Sequence, residues 1–228
     1  MKILFCNIAW MKYYKGTTLY NDTPQGGGSY VDEMQDAHEK YNFDAVELTE
    51  ESGYPAGEYC LGFVETKSTS GSKQNQLNIE KIDGCEAYKN ETEIDGVLVV
   101  YCALYPYADE RETYVVGWYK NATVYRNYEV MEFEADNASE EKYFQNYNAI
   151  AKKCDCVLMP ENMRRQATKW KVPRKSKGVA YGFGQSNVWF ARGKEDNKYL
   201  KNFLDKIVTQ IEEYDGENWV DKEPETDK

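Results

Sequence analysis

One histidine, His38, stands among 228 residues. Imidazole is a frequent metal ligand and general base, so the usual His-containing metal sites are short of ligands here, and a Ser-His-Asp triad would have to recruit that single ring. Ser186 lies in Gly184-Gln185-Ser186-Asn187 rather than in a Gly-x-Ser-x-Gly elbow, and the run Gly26-Gly27-Gly28 lacks the Gly-Lys-Ser/Thr ending of a P-loop. The six cysteines include no C-x-x-C pair. Cys154 and Cys156 flank Asp155, and the set reads as small buried thiols, with no metal or cofactor expected. No apolar run reaches membrane-spanning length, and residues 1–10 are too short and wrongly followed for a secretion signal, so no membrane partner and a cytoplasmic location are expected.

What the chain does have is aromatic area: 20 Tyr and 5 Trp within 41% apolar residues, enough to build a core without disulfides. Strands are predicted over residues 2–10, 58–65, 97–104 after an Asp95-Gly96 turn, 114–130 and 154–159, with a short apolar segment at 78–82. Helices are predicted over 139–151, 161–170 and 198–214. The last carries Leu200, Phe203, Leu204, Ile207, Val208 and Ile211 at offsets of three and four, one apolar stripe. A weaker helical signal covers 32–41, and a Ser/Thr/Gly/Lys stretch at 66–76 reads as a mobile loop. The expected fold is a single α+β domain over 1–214, a curved, mainly antiparallel sheet or partial β-barrel with flanking helices, followed by a flexible acidic tail at 215–228.

Residues 115–128 are the most informative stretch. Alternation along a regular strand would put Trp118, Lys120, Ala122, Val124 and Arg126 on one face and Tyr119, Asn121, Thr123 and Tyr125 on the other, with Gly117 permitting a bend, a bulge or a close approach. Such a strand serves either as core under a wet sheet surface or as a floor for a flat ligand.

Charge is distributed as unevenly as the rings. The formal charge is −11, yet Arg164, Arg165, Lys169, Lys171, Arg174, Lys175 and Lys177 fall together with no acid among them, leaving −18 on the remainder. Screening limits exposed charges to a reach of about 10 Å, so a local cationic strip can hold phosphates despite the global sum. It can equally be a solvated face neutralised by the acidic tail. Directly after it, Gln185, Ser186 and Asn187 offer amides and a hydroxyl to phosphates or base edges, and Trp189 offers a ring, unless these groups satisfy their own loop.

The strings Lys2-Ile3-Leu4-Phe5-Cys6-Asn7-Ile8-Ala9-Trp10-Met11, Gly26-Gly27-Gly28-Ser29-Tyr30, Val116-Gly117-Trp118-Tyr119-Lys120-Asn121-Ala122 and Gly184-Gln185-Ser186-Asn187-Val188-Trp189 resemble the N-terminal regions of bacterial restriction proteins that continue into HNH nuclease domains. By analogy those regions are similar to PUA-like readers of the EVE, YTH, ASCH and SRA types, which inspect a modified base extruded into an aromatic pocket. The resemblance implies a DNA reader without its cutter, because His38 alone cannot supply the histidine pair of an HNH motif, and it leaves room for a nuclease on a partner subunit. The seven cations would hold the DNA backbone. Trp10, Trp118, Tyr119, Tyr125 and Trp189 would supply the rings, and Asn121, Gln185, Ser186 and Asn187 the polar contacts to the base.

Two other readings are open. Asp44 followed by Glu65-Thr66-Lys67 fits the loose spacing of a magnesium-dependent nuclease site. The net charge and acidic tail suit an inhibitor or interaction protein that mimics nucleic acid. A binding module without catalysis of its own is the expectation.

Overall fold

The computed structural model describes residues 1–17, 22–26, 37–66, 76–133, 142–166 and 168–224. Among these described residues nine strands form one mixed sheet: β1 (Ile3–Ile8), β2 (Ala45–Leu48), β3 (Gly57–Gly62), β4 (Glu93–Leu104), β5 (Thr113–Phe133), β6 (Tyr143–Lys152), β7 (Cys156–Leu158), β8 (Lys171–Val172) and β9 (Val188–Trp189). The order is β2-β3-β6-β5-β4-β1-β9, an open path. It does not close, so the partial-barrel expectation gives way to an open mixed sheet flanked by helices. The β1–β4 pair is parallel and the remaining ladders are antiparallel.

β1 is apolar at every position but Asn7 because both its faces are covered. Ile3 and Phe5 join one apolar cluster, while Leu4, Cys6 and Ile8 join the other. The first cluster is closed by α2 (Lys198–Glu212), whose buried Leu200, Leu204, Ile207 and Ile211 meet Val100, Trp118 and Trp170. Asn197 starts this helix by accepting the amides of Tyr199 and Leu200. The predicted stripe is thus realised.

β5 is the spine. One edge pairs with β4; the other serves β8, β7 and β6 in succession. Its alternation is broken repeatedly, between Val124 and Glu129 against β6 and at two places within the aromatic stretch. The register against β4 slips between Tyr101 and Cys102, and Gly117 packs so closely on the Val157 carbonyl and Phe43 that a Cβ there would overlap both. A second slip, between Val97 and Val99, accompanies Asn121 at φ +50°, a conformation asparagine tolerates better than most residues. Tyr119 consequently shares a cluster with Ala122 and Val124, while Trp118 lies in the opposite one. This corrects the regular two-face assignment, because each bulge reverses the side on which the following residues emerge.

The Asp95-Gly96 turn is likewise internal to β4, with Gly96 at φ +71° and a register shift between Ile94 and Val97. Residues 143–152 are a strand and not the predicted helix. They run between β3 and β5, and hydrogen bonding to two neighbours outweighs the helix-start composition of Glu140-Glu141-Lys142. The helix predicted from 161 shrinks to one turn, α1 (Glu161–Arg164), before the chain turns into β8.

Packing does not stop at residue 214 as expected. The Asn218 side chain accepts from the Leu158 amide and donates to the Cys156 carbonyl, Trp219 stacks 5.3 Å from Tyr13, and Val220 is buried. Residues 27–36, 67–75 and 134–141 lie outside the described residues, and with them Lys67, most of the 66–76 loop and part of the 32–41 signal. Among the described residues no helix is long and apolar enough to cross a membrane.

Candidate nucleic-acid interface

Beyond β8 the chain doubles back on itself. Ser176 and Val179 exchange backbone hydrogen bonds around a turn in which Gly178 takes φ +89°. Phe183 then donates to the Pro173 carbonyl at 3.0 Å and accepts from the Lys175 amide at 2.8 Å. Gly182, at φ +112°, lies so near the Pro173 carbonyl that no side chain fits there. These contacts pin the basic segment to the loop that leads to Gln185.

A groove of about 980 Å³ opens between this doubled segment, Glu110 and Arg111 before β5, and Phe203 and Lys206 of α2. Arg111, Lys171, Arg174, Lys175 and Lys206 line it, with Glu110 as the carboxylate on its wall and Tyr181, Phe183 and Phe203 as its rings. Gln185 completes one end. The groove thus unites two sequence features, the basic strip and the amide-rich loop, and adds Arg111, Lys206, Tyr181 and Phe203, which sequence reasoning missed. Arg111 is hidden in the acidic run Asp109-Glu110-Arg111-Glu112. Lys206 is an ordinary residue on the polar side of an amphipathic helix until the fold brings it opposite Lys175.

The cations are not equivalent. Lys171 is paired with Glu112 at 2.6 Å, and this ammonium, with the Tyr114 hydroxyl, holds the Glu112 carboxyl below its usual range. Arg174 is half-buried. It donates to Thr113 Oγ1 at 2.9 Å and Asn7 Oδ1 at 3.4 Å and lies 5.9 Å from the Phe183 ring centre. Burial first, and then the like charge of Arg111, disfavour its cationic form, and among the described residues no carboxylate pairs with it. A half-buried guanidinium beside a second one is a place where an added anion relieves repulsion.

Other members of the strip lie elsewhere. Arg164 is wholly buried: Nε donates to the Met159 carbonyl at 2.9 Å, Nη1 to Met11 at 2.5 Å and Nη2 to Lys12 at 2.7 Å. It cannot meet a phosphate, and its role as a backbone contact is withdrawn. Arg165 is exposed and stacks on Tyr105 with 3.7 Å to the ring centre. Lys169 lies over Trp170, and Lys177 projects from the turn; neither lines the groove.

The anticipated base pocket does not assemble. Trp118 is buried in a stack with Trp170, and Tyr119 is buried edge-on to Phe43 and Tyr101. Tyr125 shares a hydroxyl contact with Tyr54 on another part of the sheet, and Trp10 is interior with Nε1 donating to Glu161. These rings are core because the sheet is covered on both faces. Asn121 is exposed and bonds Asp155. Trp189, half-buried against Phe5, Phe183 and Phe203, supports the groove from below. Ser186 accepts the Val188 amide, and Asn187 bonds Glu65 and Asn7 through side chain and backbone, so both serve their own loop. Gln185 remains beside the groove.

The loop held by Arg164 is also held from the other side. Asp22 accepts the amides of Lys12, Tyr13 and Tyr14, and the nearby Glu39 accepts the Ala9 amide at 2.8 Å. Burial pushes both carboxyls above their usual range despite these bonds. A carboxyl that is a weaker acid when folded takes up its proton more readily in the native state, so its contribution to stability falls as pH rises from the unfolded value through the folded one. The Glu39→Gln variant is therefore expected to gain stability relative to the parent as pH rises from the ordinary glutamate value of about 4.5 through the raised folded one, read as diverging urea midpoints. Midpoints that stay parallel across this window would contradict a raised Glu39.

Among the described residues no three His, Cys, Asp or Glu side chains converge as a metal site. Comparison with protein-family models, with curated proteins and with solved structures returns no match.

Proposed function

We propose that this chain is a nucleic-acid-binding protein, a DNA reader in the sense of the restriction-type resemblance, and that the groove beneath residues 173–185 grips sugar-phosphate. The PUA-like analogy and a nuclease partner belong to this reading. The observation that carries it is Arg174, half-buried without a carboxylate partner among the described residues, with Arg111, Lys175 and Lys206 around the same cavity in a molecule of charge −11. Cations collected against the sign of the whole molecule, around a space with one acidic wall residue, suit a polyanion better than they suit solvent.

Four phosphate contacts give a salt slope of about −3, so affinity for a labelled oligonucleotide is expected to fall roughly 50-fold between about 50 and about 200 mM salt. Fluorescence anisotropy with single-stranded and duplex DNA checks this. Absence of binding to both at low salt would reject the proposal and favour the acidic mimic.

A further inference from the structure

A second cavity, of about 590 Å³, lies across the Pro106–Glu112 turn from the groove, and the two share Glu110 and Arg111. Tyr105 forms part of its wall. The ring of Tyr105 carries the Arg165 guanidinium at 3.7 Å, takes Trp10 edge-on at 5.1 Å, and meets Tyr107 edge-on at 5.5 Å. Tyr107 is 67% exposed, with its hydroxyl accepting from Gln25 Nε2 at 2.9 Å. Here the molecule presents what its interior denies: open aromatic and guanidinium planes, braced from behind and continuous with the basic groove through Arg111.

We propose that Tyr107 and the Arg165–Tyr105 stack form a platform for unpaired bases, making single-stranded nucleic acid the preferred ligand. This rests on the phosphate-binding reading of the groove. In a duplex the base faces are already stacked and unavailable, whereas a single strand can lay its backbone along the groove and turn one or two bases onto these planes. Arg111, at the junction of the two cavities, holds the intervening phosphate. The acids Asp109 and Glu110 on the second cavity disfavour backbone there and leave it to a base.

The test compares a single strand, the same strand with abasic sites, and the matching duplex, each titrated against the parent, Tyr107→Ala and Tyr107→Phe. Tyr107 is exposed, so circular dichroism should be unchanged. The parent is expected to bind the intact strand more tightly than the duplex. Tyr107→Ala should weaken intact-strand binding about 5- to 100-fold while leaving the salt slope and abasic-strand binding unaltered, and Tyr107→Phe should restore it. Equal affinity for duplex and single strand, with Tyr107→Ala neutral, would overturn the platform and leave the groove standing. No binding of any of the three would overturn the groove reading and the platform with it.

Discussion

Replacing Arg164 by alanine is expected to cost the fold about 3–5 kcal/mol, a large part of the roughly 5–15 kcal/mol that holds a typical domain together. The side chain is buried and its three donors satisfy the carbonyls of Met159, Met11 and Lys12, joining α1 to the loop after β1. Truncation strands those acceptors in a space closed by Trp10 and Tyr14, each costing about 1–3 kcal/mol of unrelieved desolvation. It also removes the positive charge facing Asp22, which stays anchored by three amides. Arg164→Lys should rescue little, because one ammonium cannot reproduce a planar fork serving divergent carbonyls. Urea denaturation of both variants measures the loss. A loss below about 1 kcal/mol for alanine would mean that water or a rearranged loop replaces the guanidinium.

Reversing two groove charges, Lys175→Glu with Lys206→Glu, is expected to weaken oligonucleotide binding about 100- to 1000-fold and to reduce the salt slope by about 2. Each reversal exchanges an attraction of order 1 kcal/mol for a comparable repulsion, moderated by screening. Both residues are exposed and neither is in an ion pair among the described residues, so stability should hardly change. The informative control is Lys169→Glu with Lys177→Glu. These belong to the same stretch of sequence but lie off the groove, and they should cost less than tenfold. Equal losses in the two double variants would indicate diffuse attraction to a charged strip and no defined binding channel.

That contrast marks the limit of what the sequence discloses. The α2 stripe and the long aromatic strand were legible because burial writes a period into the chain. Arg164 was not, since a charged residue among other charged residues signals the surface, and only the arrival of two carbonyls from the loop after β1 draws it inside. β6 was misread because pairing with β3 and β5 is a property of distant segments. The rings of β5 looked available until the sheet was seen to be covered on both faces by apolar clusters. The groove itself was half legible. Its strip and its Gln185 loop are adjacent in sequence, but Arg111 and Lys206 come from segments whose local composition points elsewhere.

The parallel union of β1 with β4 has a consequence for biogenesis. A ribosome moving at about 5–20 residues per second delivers the apolar segment Ile3–Ile8 well before Glu93–Leu104 exists to pair with it, and β9 emerges later still. During that interval a greasy ribbon with open edges waits for its mate, the period in which a nascent chain is most exposed to self-association and most in need of a holdase.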